Sequence, residues 1–262
     1  MKIRQYVIDA FAEKVFEGNP AAICILEEWL PDELMQKIAS ENNLSETAYL
    51  IKNTDGSYGL RWFTPNMEIG LCGHATMAAA YVVTACLEPG KTDVAFSTKS
   101  GTLTAIDKDG IIYIELPAFS LTPVPAPASI IKAIGVEPLE TFMGRDMLCV
   151  LPTAEDVKAV SPDLDEIARY EGLLFHITAK GEECDCVSRT FAPKCNVPED
   201  AVCGSGHCHI IPYWSGKLQR NELVARQASP RGGTLYCRHD NDKVILGGRC
   251  VLFSEAAIRP TD

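Results

Sequence analysis

The sequence predicts an α+β fold of two similar lobes, each a curled mixed sheet around a central helix, because its halves carry the same markers in the same order. A Cys-Gly pair heads an apolar stretch at Cys72 and again at Cys203, half a chain length apart in a protein of 262 residues. A Phe-x-Pro element precedes each pair and a Gly-Thr-Leu triplet follows it, at Phe63-Thr64-Pro65 and Phe191-Ala192-Pro193, and at Gly101-Thr102-Leu103 and Gly233-Thr234-Leu235. Several markers at nearly one spacing indicate an internal duplication. Two such lobes are expected to form a cleft with one of these cysteines on each wall.

The first half is typical of strands assembled around one buried helix. In chain order the pattern predicts a strand at 6–11, a turn at Gly18-Asn19-Pro20, a strand at 21–26, a helix from Pro31, a hairpin of 47–51 with 59–63, and strands on either side of Lys108-Asp109-Gly110. The stretch from Gly73 to Cys86 is apolar on nearly all sides. A helix of that kind must be buried, so the sheet is expected to curl around it.

The second half repeats this order of elements, although its sequence is less similar outside the shared markers. The pattern predicts a strand at 149–152, helical segments over 154–170, a strand at 172–179, and a second central helix from Cys203. Pro212 predicts that this helix ends early or kinks. The Pro-rich segment 121–127 is typical of a linker. The lobes are therefore assigned to residues 1–119 and 120–262, with the last strand free to join the first lobe.

Composition narrows the class of protein. The net charge of −11 argues against nucleic-acid binding, which needs a basic surface, and it requires local donors if the substrate is an anion. No apolar run is long enough for a membrane helix or a signal peptide, so we expect a cytoplasmic protein without membrane contact. The eleven cysteines are then expected to be mostly reduced.

Cys72 and Cys203 are the first candidate catalytic residues. A thiol at a helix N-terminus lies at the positive end of the helix dipole, which can lower its pKa from about 8.5 to near 7 and make it a base. Gly73 and Gly204 let the backbone approach a ligand, so that first-turn amides hold a carboxylate or enolate. The alternative is that both cysteines are small buried hydrophobic residues, as expected for Cys24, Cys86, Cys149, Cys237 and Cys250.

Glu46 is the second candidate, because it lies between a helical segment and an apolar strand where burial raises a carboxyl pKa toward neutrality. The alternative is a surface acid near a helix end. Asp200 is a candidate for orienting a basic nitrogen of the substrate, and His74 and Ser205 lie in the helix-start turns. Each of these three, taken singly, fits a structural role equally well.

Cofactor and metal motifs are weak. The sequence contains neither a dinucleotide fingerprint nor a P-loop, so no cofactor is expected. A zinc site is conceivable because potential ligands cluster along the second half, at Cys184, Cys186, Cys195, Cys203, His207, Cys208 and His209. Their spacing is not that of a zinc finger or ribbon, so no metal is expected.

The ordered set of motifs resembles the PhzF-like family, which shares the fold of diaminopimelate epimerase and proline racemase. The resemblance covers nearly the whole chain and rests on Gly18-Asn19-Pro20-Ala21-Ala22, Ser45-Glu46-Thr47-Ala48, Arg61-Trp62-Phe63-Thr64-Pro65, Leu71-Cys72-Gly73-His74-Ala75-Thr76, Glu199-Asp200-Ala201-Val202-Cys203-Gly204-Ser205-Gly206-His207, Pro212-Tyr213-Trp214 and Ser229-Pro230-Arg231-Gly232-Gly233. It implies two pseudo-symmetric lobes that exchange terminal strands, a cofactor-free site and a homodimer. It also implies that Glu46 transfers the proton, that His74, Asp200 and Ser205 line the pocket, and that Asn19 lies near the substrate.

One departure from the family pattern leaves the mechanism open. The phenazine isomerase lacks the first cysteine and has threonine at the position of Cys203, whereas the racemases of this fold use a cysteine pair. This chain carries both Glu46 and the cysteine pair. The sequence therefore predicts a cofactor-independent isomerase acting on a small carboxylated metabolite. The alternatives are a two-cysteine amino-acid racemase or epimerase, and a non-catalytic metabolite- or zinc-binding protein.

Overall fold

The computed structural model describes residues 1–260, which divide into two compact units. The first unit is Met1–Glu115 together with the C-terminal segment that begins at Gly247, and the second is Leu116–Leu246. The segment 121–127, interpreted as a linker from its prolines, contains a short strand that pairs with the second unit. Among the described residues, no helix has the length and apolar character needed to cross a bilayer.

The described residues form eighteen strands and six α-helices. The strands are β1 (Ile3–Ala10), β2 (Asn19–Leu26), β3 (Glu46–Lys52), β4 (Tyr58–Phe63), β5 (Glu68–Ile69), β6 (Asp93–Thr98), β7 (Gly101–Lys108), β8 (Ile111–Pro117), β9 (Thr122–Pro123), β10 (Glu140–Met143), β11 (Met147–Val150), β12 (Phe175–Lys180), β13 (Cys186–Ala192), β14 (Val197–Asp200), β15 (Glu222–Gln227), β16 (Gly233–Asp240), β17 (Lys243–Gly248) and β18 (Cys250–Ile258). The helices are α1 (Asp32–Asn42), α2 (Gly73–Tyr81), α3 (Ile130–Ile134), α4 (Ala154–Ala159), α5 (Leu164–Ile167) and α6 (Gly204–Leu218), with a π-helical turn at Val82–Leu87 and a 3-10 turn at Pro193–Cys195.

The two units have the same strand topology. In the first unit β2 and β3 are parallel, β3 and β4 antiparallel, β4 is antiparallel to β5 and parallel to β6, and β6 and β7 are antiparallel. In the second unit β11 and β12 are parallel, β12 and β13 antiparallel, β13 is antiparallel to β14 and parallel to β15, and β15 and β16 are antiparallel. The internal duplication therefore extends to the sheets.

The first strand of each sheet also has matching partners. In the first unit β1 lies between β2 and the C-terminal strand β18, antiparallel to both. In the second unit β10 lies between β11 and β9 in the same manner. The chain thus returns from the second unit to complete the first sheet. The α+β fold with a terminal strand exchanged is confirmed.

A buried helix lies against the strands of each unit. Cys72 immediately precedes α2, and the seven residues from His74 to Ala80 are all buried. The helix α2 contacts β1, β2, β3, β7 and β18. In the second unit Cys203 immediately precedes α6, which contacts β15 and β16. Because most residues of both helices are buried, the surrounding strands supply much of their packing.

Pro212 does not end α6, which continues to Leu218. A proline inside a helix has no N–H for the carbonyl four residues before it, and that carbonyl belongs to Cys208. The backbone N–H of Phe119 donates to Cys208 O at 2.9 Å, so the carbonyl is satisfied from outside the helix. The expected early end of the helix is therefore wrong, while the alternative of a kink at Pro212 stays a prediction.

Candidate active site

A tight turn places Asn19 at the start of β2. Gly18 has a φ of +67°, and a Cβ at this position would lie 2.1 Å from Ala10 O, so only glycine fits. Asn19 is buried, and its Oδ1 accepts a hydrogen bond from Ser45 Oγ at 3.0 Å. The turn therefore brings Asn19 next to the Ser45-Glu46-Thr47 segment.

Glu46, His74 and Cys72 form a continuous chain of groups in the first unit. Glu46 begins β3, and its side chain is 14% exposed. Its Oε2 lies 2.9 Å from His74 Nε2, although the contact is not aligned as a hydrogen bond. The other ring nitrogen of His74 lies 3.5 Å from Cys72 Sγ. The imidazole therefore stands between a carboxylate and a thiol.

The charges of this chain favour a protonated imidazole. Burial alone lowers the pKa of His74, but the negative charges of Cys72, when ionised, and of Glu46 raise the pKa well above its ordinary value. Burial, followed by the negative charge of Glu46, raises the pKa of the Cys72 thiol. The negative charge of Glu46 acts on His74 even when the Cys72 thiol is neutral, so the position beside Glu46 favours the cationic form of the imidazole.

The second unit brings Asp200, Cys203, Gly204 and Ser205 together at the start of α6. Cys203 Sγ accepts a hydrogen bond from Gly206 N at 3.3 Å and lies 3.5 Å from Ser205 Oγ. The buried Gln227 side chain accepts from Cys203 N at 2.8 Å and donates to Asp200 O at 2.7 Å. Gln227, which the sequence analysis missed, thus connects the end of β14 to the helix start.

The thiol of Cys203 is not activated by its helix. Burial, followed by the negative charge of Asp200, raises the pKa of Cys203 well above its ordinary value. The hypothesis that the helix dipole lowers the pKa of both thiols to near 7 is therefore wrong, because the loss of hydration outweighs the dipole at two buried sulfurs.

Glu46 has no acidic counterpart in the second unit. Thr47 pairs with Phe63 between β3 and β4, and Phe175 pairs with Phe191 between β12 and β13. Since Phe63 and Phe191 begin the duplicated Phe-x-Pro elements, the residue that corresponds to Glu46 is Leu174. The carboxylate is therefore a feature of one unit, whereas the helix-start cysteine is common to both.

Arg145 and Asp146 are further polar residues near Ser205 that the sequence analysis missed. Arg145 Nη2 donates to Ser205 Oγ at 3.1 Å. The β11–β12 register, in which Met147 pairs with Phe175, makes Arg145 the counterpart of Pro20. The duplication was thus a usable signal, because it places Arg145 beside the position that corresponds to Asn19.

Two groups among the described residues have side chains close enough to hold a metal ion, Glu46 with Cys72 and His74, and Asp146 with His176 and His209. In the first group the carboxylate lies 2.9 Å from His74 Nε2 and the thiol lies 3.5 Å from His74 Nδ1. In the second group the Nε2 of His209 already accepts from Asp146 N at 3.3 Å. Neither group contains Cys203, His207 or Cys208.

The positions of the predicted residues are thus as follows. The first unit gathers Asn19, Glu46, Cys72, Gly73 and His74, and the second gathers Asp200, Cys203, Gly204 and Ser205. That the two cysteines face each other across one cleft stays a prediction.

Comparisons with known proteins identify relatives over the whole chain. The family model described as phenazine biosynthesis-like protein (PhzC-PhzF) matches residues 8–256. An uncharacterized isomerase of Pseudomonas aeruginosa is 41% identical over 261 residues, which cover 99% of both chains. A crystal structure of a PhzF family protein from Enterococcus faecalis is 43% identical, with a TM-score of 0.96 over 99% of this chain and 100% of the other.

More distant structures share the fold. A hydroxyproline epimerase from Agrobacterium vitis has a TM-score of 0.61 at 9% identity, over 98% of this chain and 92% of the other. At this identity the likeness concerns the fold alone. The family match, the close relatives and the duplicated sheets agree with one another, and the chain belongs to the phenazine biosynthesis-like (PhzC-PhzF) family.

Proposed function

We propose that this protein is a cofactor-independent isomerase that moves a proton on carbon in a small carboxylated metabolite, with Glu46 as the proton-carrying group. Membership of the family and the names of the relatives support an isomerase-type enzyme. The observation that carries the assignment is the largely buried carboxylate of Glu46 at the start of β3, which lies 2.9 Å from His74 and has Leu174 at the duplicated position. We propose the cytoplasm as its compartment on the sequence grounds given above.

Glu46 and His74 divide the work in this proposal. The carboxylate removes a proton from carbon and returns it to a different carbon on the same face of the substrate. The protonated His74 holds the carboxylate in place, and its positive charge stabilises the negative charge that develops on the substrate. Asn19 is already bonded to Ser45, so its amide is oriented at the same end of the strands.

A two-cysteine racemase or epimerase is the second candidate function. The observation in its favour is that Cys72 and Cys203 each directly precede the buried helix of their unit. The raised pKa of both thiols disfavours it, because a thiol that is neutral at pH 7 is a poor base. A metabolite- or zinc-binding protein without turnover is the third candidate, and bound metal in the purified protein would favour it.

The test is deuterium incorporation from D₂O into carbon positions of candidate amino acids and cyclic carboxylates. Glu46→Gln is expected to slow incorporation by about 10²- to 10⁴-fold, because it removes the acid-base group without changing its size. Glu41→Gln is the matched control, since it makes the same substitution at an exposed position of α1. Cys72→Ser and Cys203→Ser are expected to cost little.

The opposite pattern decides for the racemase. An active Glu46→Gln protein with two inactive serine variants would replace the proposal with the two-cysteine mechanism, which needs a proton donor on each face. Dialysis against a chelator is expected to leave the rate unchanged. A large loss of rate that zinc restores would instead favour a metal-dependent function.

A further inference from the structure

Arg145 is held in one orientation by contacts on two sides. Its Nε donates to Asp146 Oδ2 at 2.7 Å, and its Nη2 forms an ion pair with the same oxygen at 2.6 Å. The guanidinium carbon lies 4.8 Å from the centre of the Phe119 ring, within the range of a cation–π contact. A surface arginine without such contacts loses side-chain entropy when it binds a ligand, whereas this one has lost it already.

Asp146, which binds the Arg145 guanidinium, is itself held in place by burial and by hydrogen bonds. Its side chain is fully buried, and its Oδ1 accepts from Leu173 N at 2.9 Å and Leu174 N at 3.0 Å. Burial opposes ionisation, but the neighbouring His176, the Leu174 amide and Arg145 hold the pKa of Asp146 well below its usual range. One oxygen is therefore fixed by backbone, and the other aims the guanidinium.

Phe119 is fixed as well. Its backbone N–H donates to Cys208 O, the carbonyl that Pro212 leaves free, at 2.9 Å. Its ring also lies 4.7 Å from the His209 ring, centre to centre. Phe119, whose ring contacts Arg145, is thus attached to the interior of α6 by a backbone hydrogen bond.

The part of the Arg145 guanidinium that Asp146 does not hold lies at the start of α6. Its Nη2 donates to Ser205 Oγ at 3.1 Å, and its Nη1 donates to no residue that the structure describes. The side chain is 43% exposed, so a ligand can reach it. The first unit has Pro20 at the corresponding position and supplies no such cation.

The charge of the whole protein makes a local cation necessary for an anionic ligand. The net charge is −11, which repels anions at long range. Asp200, whose negative charge acts on Cys203, adds to this repulsion near the start of α6. The two N–H groups of Nη1 and the adjacent Ser205 hydroxyl can donate together to a carboxylate, because the guanidinium is charged and its N–H groups are fixed in one plane.

We infer that Arg145, aimed by Asp146 and supported by Phe119, binds a carboxylate group of the substrate beside Ser205. The inference rests on the proposed function for its substrate but concerns binding and specificity, not the proton transfer. Asp146 and Phe119 are positioning residues in this arrangement. The Ser205 hydroxyl, which accepts from Arg145, turns its own hydrogen to the ligand.

The test compares benzoate with benzamide, which differ in charge but hardly in shape. Titration calorimetry is expected to show benzoate binding to the full-length protein, with about 10- to 100-fold weaker binding to Arg145→Gln. Arg145→Lys is expected to fall between the two, because it keeps the charge but loses the planar fork. Arg238→Gln is the matched control, since Arg238 is 52% exposed on β16, and it is expected to bind benzoate like the wild type.

A second readout is independent of affinity. The ¹⁵N-bound Nε proton of Arg145 is expected to shift in the NMR spectrum on addition of benzoate and not of benzamide. Equal binding of benzoate to wild type and Arg145→Gln, or no binding to the wild type, overturns the inference. If that result accompanies proton exchange that still depends on Glu46, the proposed function stands; if benzoate binding depends on Arg145 while Glu46→Gln exchanges normally, only the proposed function fails.

Discussion

Gly18→Ala tests whether the tight turn before Asn19 requires a glycine. At Gly18 the φ of +67° costs any other residue about 1–2 kcal/mol. The new Cβ would also lie 2.1 Å from Ala10 O and 3.0 Å from Ala12 Cβ, so backbone must move. Overpacking of this kind costs about 1–3 kcal/mol, and we expect the free energy of unfolding to fall by about 2–5 kcal/mol in all.

The control for this prediction is Gly56→Ala. Gly56 has a φ of +84°, but its Cβ would meet nothing within 4 Å. Only the backbone cost applies there, so the loss is expected to be about 1–2 kcal/mol. Urea unfolding of both variants, followed by circular dichroism, measures the difference. Equal stability of the two variants would refute the argument that close approach to Ala10 O requires glycine.

Two further predictions follow from buried titratable groups. Because the pKa of both thiols is raised, iodoacetamide is expected to alkylate Cys72 and Cys203 slowly at pH 7, at rates that still rise at pH 9. Peptide mass spectrometry measures the rates. A plateau below pH 8 would instead support the hypothesis that the thiols are activated. Burial lowers the pKa of His207 to about 4, so the unfolded chain binds the extra proton first and stability falls as the pH drops from about 6.5 to 4. The loss is up to about 3 kcal/mol and should be smaller in His207→Gln, whereas equal slopes in urea unfolding at several pH values would contradict it.

The elements that depend on local sequence could be predicted. The hairpin of β3 and β4, the start of α1 after Pro31 and the break between α4 and α5 at 161–162 are determined by turn residues and apolar spacing within a few positions. The grouping of Asn19, Glu46 and His74 was implied by the family resemblance, and the structure places Asn19 and Glu46 at the starts of β2 and β3 and His74 in the first turn of α2.

The features that depend on distant residues could not be predicted. The continuation of α6 past Pro212 requires the N–H of Phe119, which lies about ninety positions earlier along the chain. The raised pKa of Cys203 requires burial that only the folded unit provides. The Arg145–Ser205 contact joins residues 60 positions apart, and no local motif at either residue predicts the other as its partner.

The return of β18 to the first sheet has a consequence for folding during synthesis. The second unit is one continuous segment, and all its strand partners are available once Leu246 has been made. The first sheet needs contacts such as that of Arg4 with Glu255, which spans 251 positions, so β1 waits with one edge unpaired. We therefore expect the first sheet to be completed only after the C-terminal strand has been made. Because closing so long a loop costs entropy, we expect the pairing of β1 with β18 to be a late step of refolding.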